Sequence, residues 1–195
     1  MADTGKSGTT TLQDAIKASH DSANVRLIKD YAVWLLPDTA GLPTSTTWTP
    51  PSNVKPIGWN TDDGAELAFE AGDKNDIKGH DGSVVLSVGA PGNYTLKIPA
   101  LEMTKTVAQA YFGVTIAQDG AIHSAGTPTG KYQVVLAGID QAGRPVIIVL
   151  RDATITDRDS IKFSAGDSMT MTMTFTAHTA SDGKQFDAYG LTVEA

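Results

Sequence analysis

Cysteine is absent from the 195-residue chain. That excludes a disulfide framework, thiolate metal ligands and a cysteine nucleophile, and an intracellular origin is the expectation that follows. Long apolar runs are absent as well. The strongest, "AVWLL" and "VIIVL", are five residues each, against the ~20 that a membrane-spanning helix needs. Residues 1–25, "MADTGKSGTTTLQDAIKASHDSANV", lack the continuous apolar core of a signal peptide. No membrane partner is expected. Positive charge is in short supply: 15 Lys and Arg face 22 Asp and Glu, for a net charge of −7. A surface that grips nucleic acid neutralises phosphates with basic side chains, so this balance argues against one. Histidine is scarce and scattered. His20, His80, His123 and His178 form no pair at helical or alternate-strand spacing, so no histidine metal site and no cofactor is expected.

What is present is period-two alternation. "DSMTMTMTFTAH", residues 167–178, sets Met169, Met171, Met173 and Phe175 on one side and Thr170, Thr172, Thr174 and Thr176 on the other. Such a strand packs one face on a core and turns the other to something wetter. Further strands are expected near 25–36, with a break near Asp30, and near 57–61, 64–70, 82–88, 93–99, 131–139, 145–152, 168–178 and 185–193. Turn chemistry lies between them at "DDG", "APGN", "DQAGRP" and "SDGK". One helix interrupts the strands: "MTKTVAQAYFG" has Thr104 as N-cap, Val107, Ala110 and Tyr111 on one face, and Gly113 as the C-terminal stop. Hairpin-sized connections predict a mainly β, antiparallel sandwich or barrel-like domain with this helix, about 104–112, on its flank. The expected division is an N-terminal arm, 1–24, with a short helix capped by Thr11, and a single domain, 25–195. An extension at 37–56, "PDTAGLPTSTTWTPPSNVKP", holds five of the nine prolines and five threonines. A loop that long in a compact domain has a job.

Several stretches look chemical and fail on spacing. "TGKSGTT", residues 4–10, has the Gly-Lys-Ser end of a phosphate loop, but its first glycine would fall before residue 1 and no strand feeds it. "GDSM", residues 166–169, resembles a Gly-Asp-Ser nucleophile block, yet no histidine stands three residues after an aspartate. A serine without a base and an oxyanion hole is only a hydroxyl. "DKNDIKGHDG", residues 73–82, looks calcium-like, but Ile77 and Lys78 stand where an EF-hand loop needs an acidic or amide residue and a glycine. Trp34, Trp48 and Trp59 could stack on a sugar, although tryptophans more often fill cores and interfaces. No catalytic residue set emerges, and an enzyme is not expected.

The stretch "IGWNTDDGAELAFEAGDKNDIKGHDGSVV", followed by "ALEMTKTVAQAYFG", resembles the major tail protein, or tail tube protein, of long-tailed non-contractile bacteriophages, particularly those infecting actinobacteria. The shared pattern is an Ile-Gly-aromatic strand, an acidic turn, a second strand, a charged loop and a short helix ending in aromatics and glycine. "IDQAGRPVIIVLRDATITD" and "TFTAHTASDGKQFDAYG" are similar to the family's later hairpins. The resemblance runs from about Tyr31 onward; residues 1–24 match nothing in it, and no stretch of these 195 residues resembles the immunoglobulin-like domain that some members append. It implies a virion protein made in the host cytoplasm, with six copies per ring and rings stacked into a tail tube through which DNA is ejected. By the same resemblance its partners are itself, a tape measure protein, a tail terminator and a distal tail protein.

A conduit must bind itself strongly and its cargo hardly at all, so a polar, neutral-to-acidic channel face is expected. Thr170, Thr172, Thr174 and Thr176 would suit either that lumen or a seam between subunits. In the family, the loop between paired early strands is associated with ring stacking; Asp73, Lys74, Asn75, Asp76, Ile77 and Lys78 match it. That loop and the extension 37–56 are expected to stay disordered until a neighbour arrives. Three other readings stay open: a tail-terminator or connector ring, a carbohydrate-binding β-sandwich, and a hydrolase built on Ser168.

Overall fold

The computed structural model describes residues 11–37, 40–124, 128 and 130–192. In chain order the elements are α1 (Leu12–Ala18), β1 (Ile28–Leu36), β2 (Glu66–Glu70), β3 (Lys74–Lys78), β4 (Val84–Gly89), β5 (Asn93–Ala100), α2 (Lys105–Phe112), β6 (Lys131–Asp140), β7 (Pro145–Arg158), β8 (Met171–Ala177) and β9 (Phe186–Tyr189). Seven strands form one antiparallel sheet in the order β1-β6-β7-β8-β5-β2, with β9 also on β7. The other two, β3 and β4, pair only with each other. The mainly β, antiparallel expectation holds, and the main body is a single sheet.

That sheet is rolled. Val33 of β1, Val134 of β6, Leu150 of β7, Phe175 of β8 and Ile98 of β5 belong to one buried cluster, and Leu67 of β2 packs against it. The strands at the two ends of the order therefore share one core, which a flat sheet cannot arrange. β7 is long enough to serve two neighbours on one edge. Ile147–Leu150 pair with β9 and Ala153–Arg158 with β8. Between them, two residues of β7, Arg151 and Asp152, oppose the single Gln133 of β6. This bulge restores the inward side chain, so that Leu150 and Ala153 both face the core.

Helix α2 closes one end of the roll. Thr104 caps it, its Oγ1 accepting from the Val107 N–H at 3.3 Å, and Val107, Ala108 and Ala110 are buried in the core. Gly113 ends it in the left-handed region at φ 63°; a Cβ there would come within 2.6 Å of the Pro128 backbone. The Arg158 guanidinium donates to the Tyr111 carbonyl at 2.6 Å, tying the helix end to β7.

Most expected elements appear within a few residues of their positions, including the helix after Thr11 and the irregularity near Asp30, where β1 shifts register on β6. Four readings need correction. Residues 57–61 make only an isolated bridge, Asn60 to Ala100, because the segment turns across the end of the roll. Residues 74–78, expected as loop, are strand β3; "KNDIK" carries one apolar residue and so shows no period of its own. The extension is not a free segment. Leu42, Trp48 and Val54 pack on Leu36, Val135, Ile147 and Val149, covering part of the outer face of the sheet. Trp48 meets Trp34 edge-on at 5.7 Å. Finally, the last strand stops at Tyr189. Residues 1–10 of the expected N-terminal arm lie outside the described residues.

Candidate functional site

Three surfaces of the described residues stand out once the core is accounted for. The first is the ribbon β3–β4, which continues the β2–β5 pair beyond the body, at the end of the roll away from α2. Its register places Ile77 opposite Leu86 and Asn75 opposite Val88, so these four share a face. Lys74, Asp76, Lys78 and Ser87 occupy the other, joined beyond the register shift by Val84 opposite Lys78. Asp76 is held there by Ser87, whose hydroxyl donates to its carboxylate, and by Lys74 at 3.9 Å. The ribbon is thus amphipathic, and its apolar face is open: Ile77 is 49%, Leu86 52% and Val88 51% exposed. The expected ring-stacking residues Asp73, Lys74, Asn75, Asp76, Ile77 and Lys78 all lie on or next to β3. Sequence reasoning counted their charges and missed the aliphatics of β4 as their partners. The signal was present in "VVLSV", which has no polar alternation to hide one face.

The second surface is the threonine face. Met171, Met173 and Phe175 point into the core, as the alternation predicts, and Ala177 joins them; Met169, expected on the same side, lies before β8 and is 37% exposed. On the outer side of β8, Thr172, Thr174 and Thr176 stand opposite Pro99, Lys97 and Thr95 of β5. Thr154 and Thr156 of β7 extend the patch, the Thr156 and Thr176 hydroxyls pairing at 2.7 Å and Thr154 pairing with His178 Nε2 at 2.9 Å. Thr170 lies just before β8. Its few charges include both signs, with Lys97 bridged to Asp159 at 3.1 Å. Thr95 and Thr172 are themselves buried in the chain, so the accessible part of this face is narrower than the sequence suggests.

The third surface is a cavity of about 940 Å³ reaching the interior of the roll, lined by Ile28, Tyr31, Leu67, Leu96, Leu136 and Ile148 among others. It lies between β1 and β2, the first and last strands of the sheet order, which no strand pairing joins. Towards α2 the gap is sealed. There the Ile57 N–H donates to the Val33 carbonyl at 2.9 Å and the Thr61 N–H to the Pro99 carbonyl at 3.0 Å. Near the other end, the buried Asp140 carboxylate accepts from the Arg26 and Arg144 guanidinium groups at 2.9 and 2.7 Å and from the Ala142 and Arg144 backbone N–H groups. Burial alone would raise its pKa, but those donors outweigh it and hold the carboxyl well below the usual range. The node fastens residues 23–27 to the β6–β7 turn.

The chemical candidates are not assembled. Ser168 is exposed, and no histidine hydrogen bond reaches it among the described residues. Among those residues no three His, Asp or Glu side chains converge as a metal set. Trp34 and Trp48 belong to the cluster under the extension, while Trp59, 75% exposed, stands apart from it. The segment "TGKSGTT" lies outside the described residues. No helix of the described residues is long and apolar enough to cross a membrane.

No family model matches this chain. No curated protein matches it either. Among solved structures it is similar to a chain in the cryo-EM structure of the anti-feeding prophage (AFP) baseplate, 6-fold symmetrised, at 12% sequence identity and a TM-score of 0.43, over 84% of this chain and 94% of that one.

Proposed function

We propose that this protein is a structural, non-enzymatic component of a phage-type tail, and specifically a tail tube subunit that forms hexameric rings stacking into a DNA conduit. The carrying observation is the ribbon β3–β4. It projects from the body with half-exposed aliphatics on one face, at the position where the sequence resembles the family's ring-stacking loop. A two-stranded ribbon is marginal by itself in water, and an apolar face without cover marks a surface made for a partner. Heterologous contacts of that kind close into rings or propagate as stacks.

The remaining surfaces suit the role. The threonine face offers small neutral hydroxyls with few charges, which would let DNA slide past a lumen without counterion release and equally suits a seam between subunits. The net charge of −7 has the sign expected of a conduit that must not hold its cargo. In this reading the tape measure protein, tail terminator and distal tail protein are its partners, and the virion tail its location. Replacing residues 74–89 by a short Gly-Ser turn tests it. The variant is expected to remain a folded monomer that makes no tubes, and normal tube growth without the ribbon would refute the proposal.

A further inference from the structure

The described residues carry two apolar features that nothing else among them satisfies, and they are complementary. One is the ribbon face of Ile77, Leu86 and Val88. The other is the trench between β1 and β2, where the roll lacks a strand and the core residues Leu67, Leu96 and Leu136 line the opening. The ribbon does not fill its own trench, since its three aliphatics are about half exposed. We propose that the ribbon of one copy lies in the β1–β2 trench of a second copy, apolar face inward, completing the open side of its roll.

Charge does not oppose this arrangement. The trench lining carries Lys29 on β1 and Asp62 before β2, and its third charge, Arg26, is already held by Asp140. Ile77 is flanked in sequence by Asp76 and Lys78 on the face that stays outward, where Asp76 is paired with Lys74 and Ser87 inside the ribbon. The unpaired edges of β1 and β2 also offer backbone donors and acceptors to an incoming strand, the mode by which sheets accept a strand from another chain. The contact is heterologous, ribbon to trench, so each copy has one donor and one acceptor. This leaves neither feature spare in a closed or continuing array. The inference rests on the reading of the ribbon as a contact between copies and adds the surface that receives it.

The absence of cysteine makes a direct test clean, because only introduced thiols can pair. Leu86→Cys on the ribbon and Ile28→Cys at the trench are made as separate proteins and mixed under mild oxidation. Lys29→Cys serves as a second trench variant should Ile28→Cys fold poorly, and Thr174→Cys on the threonine face as control. The expected result is a Leu86–Ile28 cross-linked dimer formed at least about tenfold faster than the Leu86–Thr174 one, a preference abolished by adding Ile77→Asp and Val88→Asp to the Leu86→Cys protein. Equal rates would overturn the proposal, as would preferential Leu86–Leu86 dimers, or a purely intrachain bond in a Leu86→Cys/Ile28→Cys double variant. The two readings fail separately. Cross-linked copies that never form tubes contradict the tube and leave the trench contact standing, whereas tubes without the cross-link contradict the trench contact alone.

Discussion

Phe175→Ala should destabilise the monomer by about 3–5 kcal/mol, the range for truncating a buried aromatic when the surroundings relax only in part. The position permits that estimate because Phe175 is fully buried at the middle of β8. Its ring meets Tyr132 of β6 edge-on, 5.6 Å between centroids, across the interior of the roll. Of the total, roughly 0.5–1.5 kcal/mol belongs to that aromatic pair. In a chain of this size 1 kcal/mol shifts the midpoint by about 2–4 °C, so melting should fall by about 6–20 °C. Thr174→Val, one residue away on the half-exposed side, keeps the β-branched shape and should change stability by no more than about 0.5 kcal/mol. Both are read by urea titration followed by circular dichroism, at a concentration low enough that association adds nothing. If Thr174→Val costs as much as Phe175→Ala, or if Phe175→Ala costs under about 1 kcal/mol, the assignment of the two faces of β8 is wrong.

Further outcomes follow from the same structure. Asp140 has a depressed folded pKa, so the node it forms with Arg26 and Arg144 contributes stability above the unfolded carboxyl value near 3.9. That contribution is lost as pH falls through the lower folded value. Asp140→Asn should therefore lower stability at pH 7 and flatten its decline below about pH 4, measured by urea midpoints across pH. Gly113→Ala should cost more than about 1 kcal/mol, since it combines a left-handed backbone with a Cβ against Pro128; an unchanged melting temperature would contradict the cap geometry. Trp48→Ala should loosen the extension from the outer face, seen as new binding of a hydrophobic dye and faster proteolysis within residues 40–54, with the core melting only modestly lower.

How much of this was legible in the sequence depended on which forces act locally. The β8 alternation was readable over residues 171–177, where one face packs inward and the other carries only hydroxyls, while Met169 fell outside the strand. The cap residues Thr104 and Gly113 announced α2 because capping is a property of neighbouring residues. "VIIVL" has no alternation, and the structure explains why. Ile148 and Leu150 face the core while Ile147 and Val149 lie under the extension, so both sides of β7 are covered. The extension itself looked like free chain because its four anchoring residues, Ala40, Leu42, Trp48 and Val54, are spaced irregularly among prolines and threonines. Strand β3 was invisible for a different reason: "KNDIK" becomes a strand only through its register with β4. The trench could not be foreseen at all, since it is made by the absence of pairing between two strands some thirty residues apart in the chain.

The central claim is self-assembly through the ribbon, and imaging the purified protein over a range of concentrations tests it most directly. Negative-stain electron microscopy should show six-fold rings giving way to stacked tubes as concentration rises, with the ribbon-replaced variant remaining single particles throughout. A wild-type protein that stays monomeric at every concentration, or that forms isolated rings and never stacks, would contradict it.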